Sequence, residues 1–505
     1  MHPDIRVDTP PRGSRLPLWT LLLASLAAAG CNSGKPQFAF REEVRELMPE
    51  AQLYVEEVLE DNFGTPTDSV AWERMPIHFH AATSTVASVT DGNSAELTMT
   101  APAPEDSEDE PAEGAFEQWL PIAAADETQP GMEVLFVSGD VYDHIRAQQL
   151  AHAADQSKPL ARALRVQSYD PQTHKLILAS APPVAPKPGD RLIIGPGEML
   201  KRGRMLYAEH CQHCHGVSGD GNGPTAQYLN PLPRDYRQAV FKFTSTQTPN
   251  RAQRSDLART IEDGIPGTYM PSFKLLKPEE STALVEYVLW LACRGEAELR
   301  RALALQDYTE ETAREDRSAA LQSFAEAFES QFPVDFDDEA TQIAEFWQEA
   351  QQPEAVVVPA SGRIESSPES IARGREIFKS ATAKCASCHG EAGKGDGPQT
   401  LAVQPDKQGK PRDVPGLFDD WNQPIQPRNL TTGIYRGGRR PVDIYRRIFA
   451  GIKGTPMTGF GASLKNEQIW DLVNYVMSIP FEHREPGEGP FVPSSPATDQ
   501  VARRN

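Results

Sequence analysis

Two copies of one five-residue cysteine pattern constrain this chain more than any other feature. They read Cys-Gln-His-Cys-His at Cys211–His215 and Cys-Ala-Ser-Cys-His at Cys385–His389. In a C-x-x-C-H pattern two thiols are spaced for addition to the vinyl groups of a haem, and the adjoining imidazole reaches the iron. The sequence therefore predicts two covalently bound haem c groups, attached through Cys211 and Cys214 and through Cys385 and Cys388, with His215 and His389 as iron ligands.

A cysteine pair at this spacing has two other interpretations, a zinc knuckle and a thioredoxin-like dithiol. The chain contains six cysteines and eleven histidines in 505 residues. Zinc needs four ligands in a tetrahedral array, yet each cysteine pair has only its adjoining histidine and no second pair nearby. Two independent C-x-x-C-H patterns therefore favour haem over both alternatives.

One methionine downstream of each pattern is a candidate for the second axial iron ligand. Met270 is the only methionine between His215 and Cys293, and Met457 is the only one between His389 and Trp470. Both lie in the same frame, Gly-Ile-x-Gly-Thr-x-Met-x-x-Phe, in which glycines let the backbone approach a flat ligand closely. A thioether is a soft ligand that suits low-spin iron. We expect Met270 and Met457 to be iron ligands and not core methionines.

With these motifs, residues 197–295 and 366–482 resemble class I cytochrome c domains, small helical folds around one haem with histidine and methionine ligation. Further repeats fit the family. Gly203 with Tyr207 and Gly374 with Phe378 share one face of an N-terminal helix. The resemblance implies that this helix crosses a C-terminal helix, which carries Leu284–Val288 in the first domain and Leu472–Val476 in the second.

The resemblance also implies partners for each haem and its histidine. A proline nine residues after the histidine, Pro224 or Pro398, is expected to accept a hydrogen bond from the free imidazole N–H, as metal-bound histidines require. Arg234 and Arg428 lie in matching Pro-Arg-Asp and Pro-Arg-Asn segments. They are candidates for binding haem propionates, and ordinary surface arginines are an equal alternative.

The first thirty residues predict export. An apolar run from Leu16 to Gly30 follows Arg6, Arg12 and Arg15, as in a secretory signal peptide, and it is too short to span a bilayer. Cys31 follows Ala-Ala-Gly, which resembles a bacterial lipobox and favours lipidation of Cys31. Cleavage by ordinary signal peptidase after the alanines remains the alternative. A lipid anchor predicts a location on the periplasmic side of a membrane.

Outside the two haem-binding segments, the sequence predicts a mainly α chain with a small β-rich module and an acidic helical insert. Residues 31–115 form an N-terminal helix and an acidic tether, and residues 116–196 form the β-rich module. Residues 296–365 form the insert, where Glu296 to Glu354 carries 16 acidic residues and 4 arginines. Residues 483–505 are predicted to be a disordered C-terminal tail. The pattern Ile77-His78-Phe79-His80 predicts a strand, with a solvated face or a metal site on the histidine side.

These features favour a dihaem electron carrier of the respiratory chain over an enzyme. Two six-coordinate irons leave no open position for a substrate, and methionine ligation raises the iron potential. Dihaem peroxidases and thiosulfate dehydrogenases also carry two such patterns, so an enzyme is the alternative class. A third hypothesis is a subunit of a larger redox complex. The net charge of −21 argues against nucleic acid as a partner, and no small-molecule substrate is evident.

Overall fold

The computed structural model describes residues 36–71, 75–102, 114–406 and 409–482. Within them the chain forms two compact units, divided in sequence between Val356 and Val357. The predicted signal peptide, Cys31, most of the acidic tether and the C-terminal tail lie outside the described residues. No helix in the described part of the chain is long and apolar enough to cross a membrane.

The first unit begins with two helices, α1 (Glu42–Arg45) and α2 (Pro49–Phe63), in place of the single predicted helix. The chain breaks between them because the amide of Met48 donates to the carbonyl of Tyr308, a residue of the acidic insert. Val44, Leu47 and Val55 are almost fully buried in the core of this unit. The apolar face of these helices therefore packs inside the first unit.

A short hairpin and a seven-stranded antiparallel sheet follow. The strands are β1 (Gly64–Thr65), β2 (Asp68–Ser69), β3 (Ala82–Thr90), β4 (Asn93–Met99), β5 (Glu117–Gln118), β6 (Glu133–Phe136), β7 (Leu164–Asp170), β8 (Lys175–Leu178) and β9 (Arg191–Ile194), with helix α3 (Gly139–Ala154) after β6. The order is β4-β8-β7-β6-β9-β3-β5, and β3 also pairs with β4, so the sheet closes on itself. Val86, Leu97 and Val134 are in its core.

The predicted β-rich module is confirmed, but its predicted start at residue 116 is wrong. Strand β3 begins at Ala82 and strand β4 at Asn93, which are 34 and 23 residues before that start, within the segment predicted as helix and tether. The strand predicted at His78 and His80 is also wrong, because the chain enters β3 only at Ala82. Both histidines lie against the indole of Trp119, with ring centroids 4.4 Å and 4.9 Å away, and not on a solvated face.

The first cytochrome-like domain is helical. Its helices are α4 (Glu198–His210), α5 (Gln212–His215), α6 (Arg254–Asp263) and α7 (Pro278–Ala304). The N-terminus of α6 is capped by Asp256, which accepts from the amide of Gln253, and that of α7 by Glu280, which accepts from the amide of Lys277. These caps start each helix at a defined residue.

The predicted boundary of the acidic insert at residue 296 falls in the middle of α7, so the insert is not a separate element. It continues with α8 (Glu310–Glu315), α9 (Arg317–Ser330) and α10 (Phe332–Gln351). Buried residues of α7, α9 and α10 share one core with α2 and the first cytochrome-like domain. The guanidinium of Arg301 on α7 is fully buried and pairs with Glu339 of α10. The insert is thus part of the first unit as far as Val356, and its predicted end at residue 365 is wrong because residues 357–365 belong to the second unit.

The second unit contains the second cytochrome-like domain. Its elements are α11 (Pro368–Lys379), α12 (Cys385–His389), β10 (Leu417–Phe418), β11 (Pro424–Ile425), α13 (Pro441–Ala450) and α14 (Asn466–Ser478). The two short strands pair within residues 404–426, the extra length that the first domain lacks. Ile444, Ile469 and Val473 belong to a core of its own.

Candidate haem sites

Each attachment pattern forms one helical turn that ends on a glycine. The amide of His215 donates to the carbonyl of Cys211 at 2.9 Å, which places Cys211, Cys214 and His215 on one turn. Gly216 and Gly390 follow with φ of 78° and 77°, a conformation that glycine adopts without strain. In both sites the next loop is tied back to the histidine carbonyl, by Gly221 at 2.9 Å and by Gly395 at 2.8 Å. The two cysteine patterns therefore have the same local fold.

The acceptor beside each histidine differs from the prediction. Nδ1 of His215 lies 3.3 Å from the carbonyl of Arg234, and Nδ1 of His389 lies 3.2 Å from the carbonyl of Arg428. Pro224 and Pro398 do not have this role. The carbonyl of Pro224 accepts from the side chain of Gln227, and Pro398 begins a short 3-10 turn. A backbone carbonyl therefore lies beside each imidazole. It belongs to Arg234 or Arg428, so the prediction that Pro224 and Pro398 supply it was wrong.

The backbone explains why arginine supplies this acceptor. The chain after each glycine-rich loop returns beside it, so that a Cβ on Gly221 would lie 2.6 Å from the carbonyl of Pro233, and a Cβ on Gly395 would lie 2.3 Å from that of Pro427. The next carbonyl, that of Arg234 or Arg428, then faces the imidazole. The side chain of Arg428 donates through Nε to the carbonyl of Ile434 at 2.8 Å. Propionate binding by either arginine stays a prediction.

The hydrogen bond also fixes the protonation of the imidazole. A carbonyl only accepts, so Nδ1 carries the hydrogen and Nε2 keeps its lone pair for a metal. Burial lowers the pKa of His215 to about 4, although the hydrogen bond to Arg234 opposes this shift, and burial lowers the pKa of His389 as well. Both histidines are therefore neutral at pH 7, which is the form that binds iron.

The two methionine loops are the same structure at two places in the chain. In the first, the amide of Ile265 donates to the carbonyl of Met270 at 3.1 Å, and the amide of Met270 donates to Oγ1 of Thr268 at 3.1 Å. In the second, Ile452 and Thr455 make these contacts with Met457 at 2.9 Å and 3.3 Å. Gly264 and Gly451 open the loops at φ of 65° and 79°. Thr268 and Thr455 were not predicted as site residues, although the repeated Gly-Thr contained the signal.

The helix crossing implied by the resemblance is present in both domains. A Cβ on Gly203 of α4 would lie 2.2 Å from the carbonyl of Ala283 on α7, and a Cβ on Gly374 of α11 would lie 2.1 Å from that of Asp471 on α14. Only glycine permits this approach. The loop of Met270 reaches the end of α4, where the rings of Phe273 and His210 are 5.9 Å apart. In each domain the cysteine segment and the methionine loop thus border one core, with Cys211 and Phe273 in the first and Cys385 and Phe460 in the second.

The side chains of both sites fit a covalently bound haem. All four attachment cysteines are free thiols, and burial raises the pKa of Cys211 to about 12 and that of Cys385 to about 11. Each site supplies two thiols, an imidazole with an available Nε2, and a methionine on a fixed loop. In the described part of the chain, no group of three or more His, Cys, Asp or Glu side chains could hold a metal ion.

Sequence comparison agrees with this geometry. Residues 200–292 and 371–480 match the family model for Cytochrome c, and the match supports a c-type cytochrome with covalently bound haem. Among solved structures, the chain is similar to a chain of the reducing HAO-like protein complex of Kuenenia stuttgartiensis, at 27% identity, 55% coverage of this chain, 96% coverage of that chain and a TM-score of 0.38. No curated protein matches the chain.

Proposed function

We propose that this chain is a dihaem electron-transfer protein, which passes single electrons between respiratory-chain donors and a terminal oxidase or reductase. The observation that carries the proposal is the duplication of one complete ligand frame. The same attachment turn, the same carbonyl on the histidine and the same threonine-braced methionine loop occur in both domains. Covalently bound haem would supply a reversible one-electron couple at each site.

The protein's own residues would keep both irons six-coordinate. His215 and His389 would bind through Nε2, and their Nδ1 hydrogen bonds would hold each ring in one orientation. Met270 and Met457 would bind through sulfur on loops fixed by Thr268 and Thr455. With no open coordination position, such sites exchange electrons and do not bind a small substrate, which distinguishes the carrier from a peroxidase.

The first test is a haem count and a ligation assay on the exported protein. We expect mass spectrometry to find two haem adducts, on Cys211 with Cys214 and on Cys385 with Cys388. The oxidised protein should show the methionine-to-iron charge-transfer band, and the reduced protein should not bind carbon monoxide. One adduct only, stoichiometric carbon monoxide binding, or turnover with peroxide or thiosulfate would contradict the carrier function.

The location forms a second part of the proposal. Cys31 would become the lipidated first residue of the exported chain, held on the periplasmic side of the membrane by its acyl groups. Wild-type protein should then partition into detergent and give a lipidated N-terminal peptide, whereas a Cys31→Ser variant should be released as soluble protein. Equal release of both proteins would favour ordinary signal peptidase cleavage.

The third part concerns partners. We propose that the chain works as a subunit of a larger redox complex, because its first unit adds a closed sheet and an acidic helical insert to the haem domain. A pull-down from solubilised membranes should recover a redox protein with this chain. Purification of the chain alone, at full yield and under mild conditions, would contradict this part and leave the carrier function standing.

A further inference from the structure

The residue that follows the Pro-Arg-Asp or Pro-Arg-Asn segment by one position differs between the two histidine sites. The amide of Tyr236 donates to the carbonyl of Gly219 at 2.7 Å, and the amide of Leu430 donates to that of Gly393 at 2.7 Å, so the two residues are equivalent. The ring of Tyr236 lies against the imidazole of His215, with centroids 4.8 Å apart and planes 22° apart. In the second site the aromatic neighbour of His389 is Phe378, at 6.3 Å and 50°. Of the two predicted haem ligands, His215 has a stacked aromatic ring among the described residues and His389 has a tilted, more distant one.

Tyr236 is linked to the acidic insert through the ring of Phe241. Tyr236 is only 7% exposed and stacks on Phe241 at 5.8 Å and 23°. Phe241 contacts the indole of Trp347 on α10, whose Nε1 donates to the buried carboxylate of Glu296 at 3.1 Å. The described residues of the second unit contain no counterpart of α10. Tyr435, at the position of Phe241, instead donates its hydroxyl to the carbonyl of Val476 at 2.8 Å.

Stacking of this kind affects the oxidised and the reduced iron unequally. An imidazole that donates electron density to ferric iron carries more positive charge than one bound to ferrous iron. The face of an aromatic ring is negative, so it attracts the more positive imidazole more strongly. Groups around a metal ligand are known to tune the metal in this way. A fixed ring against His215 therefore favours the ferric state.

We propose that Tyr236 is a positioning residue that lowers the reduction potential of the haem on His215 below that of the haem on His389, with the acidic insert as its support. The inference rests on the proposed dihaem function. It gives the two haems different roles, because the electron resides preferentially on the haem held by the second unit. It also gives the insert a function beyond packing, since Trp347 contacts Phe241, which in turn stacks on Tyr236.

The test is a potentiometric titration of the holo-protein, in wild type and in the variants Tyr236→Leu, Tyr236→Phe and Leu430→Tyr. Met270→His and Met457→His, each of which shifts one step, assign the two titration steps to the two haems. We expect Tyr236→Leu to raise the potential of the first haem alone, and Leu430→Tyr to lower that of the second alone. Tyr236→Phe keeps the ring, so its potentials should stay near those of wild type.

The reciprocal design keeps the proposal falsifiable if Tyr236→Leu fails to bind haem, because Leu430→Tyr then decides it. Electron paramagnetic resonance of the first haem should also change in Tyr236→Leu, since the aromatic ring that stacks on the imidazole of His215 is lost. Two haem potentials that neither Tyr236→Leu nor Leu430→Tyr moves, or that move together in these variants, would overturn the inference and leave the carrier function intact. Fewer than two haems in wild type would instead contradict the function itself.

Discussion

The two cytochrome-like domains have the same haem frame but very different surroundings. In the second unit the core consists of the domain itself, with helices α11 and α14 crossing at Gly374. In the first unit the same crossing lies within a larger core, shared with the N-terminal helices and the acidic insert. The comparison shows that the frame in the second domain forms within the core of that domain alone. The additions around the first domain can therefore serve its individual properties and its partners.

The largest expected effect tests whether the two frames are equivalent in ligation. Met270→Ala and Met457→Ala should each remove about half of the methionine-to-iron charge-transfer absorbance and open one iron, because each loop supplies a sixth ligand to one site. Optical spectra and carbon monoxide titration of the reduced variants measure this. One bound carbon monoxide per chain is expected in each variant. An unchanged band in either variant would break the equivalence of the two domains.

A second prediction sharpens the difference at the crossing helices. Glu286 on α7 is fully buried, pairs with Arg254 at 2.6 Å and accepts the amide of His78 at 2.8 Å, whereas Asn474 takes the equivalent place on α14. Glu286→Gln leaves Arg254 without its counter-charge, so we expect the first unit to lose about 3–5 kcal/mol of unfolding free energy. Chemical denaturation of the holo-protein measures this loss.

Its control is an exposed ion pair in the same unit. The carboxylate of Asp140 lies 2.5 Å from Nζ of Lys187, and both side chains are more than half exposed. Asp140→Asn should change the unfolding free energy by less than about 1 kcal/mol, because solvent screens such pairs. Equal losses of unfolding free energy in Glu286→Gln and Asp140→Asn would mean that the buried ion pair stabilises the first unit no more than the exposed one.

A third prediction concerns acid stability, which should differ between the units. Burial lowers the pKa of both His78 and His80 to about 4, whereas in an unfolded chain it is near 6.5. The unfolded chain therefore binds more protons between pH 6.5 and 4, so stability falls as pH falls through that window. The loss is at most about 3 kcal/mol for each histidine. In the described residues of the second unit, His389 is the only histidine.

Denaturation of His80→Leu at pH 7 and at pH 4 tests this prediction. The variant should lose less stability on acidification than wild type, because one buried proton acceptor is gone. His144→Leu, at an exposed position of α3, is the matched control and should retain the wild-type pH dependence. A wild-type response in both variants would assign the acid sensitivity to other groups.

The smallest predicted effect tests what the domains share. Gly203→Ala and Gly374→Ala should each cost roughly 1–3 kcal/mol of unfolding free energy, since the added methyl group meets a backbone carbonyl at 2.2 Å or 2.1 Å. Thermal and chemical unfolding of both variants provide the measurement. Gly362→Ala is the control, because a Cβ there has no neighbour within 4 Å. A loss in only one of the two domains would show that the crossings are not equivalent.

Sequence patterns predicted the haem frame because its ligands lie in short, repeated motifs. The turn of Cys211–His215, the loop of Met270 and the glycine of each crossing helix depend on neighbours within a few residues. The acceptor for His215 depends instead on a segment 19 residues away, which folds back beside Gly221. A pattern within the motif therefore indicated that an acceptor was needed, but not which carbonyl would supply it.

The surrounding fold was predicted less well for similar reasons. Strands β3 and β4 were missed because Ala82–Thr90 and Asn93–Met99 are rich in Thr, Ser and Asn and lack a clear apolar run. The insert was assigned its own boundary because the charge composition changes at Glu296. The helix ignores that change, since its buried face continues through Arg294 and Glu298 to Arg301. Glu296 and Glu298 are themselves buried, so the acidic composition did not indicate a solvent-exposed segment at this point.

The long helix α7 has a consequence for protein engineering. The first half of α7 packs against α4, and its second half carries Arg301, which pairs with Glu339 of the insert. The acidic insert therefore cannot be deleted without breaking a buried ion pair of the helix that also forms the haem domain. Truncation after Ala304 would remove Glu339 and Phe332, whose carboxylate and backbone carbonyl accept hydrogen bonds from the Arg301 guanidinium. A minimal version of the first haem domain would also need new polar residues where the core now packs against the insert.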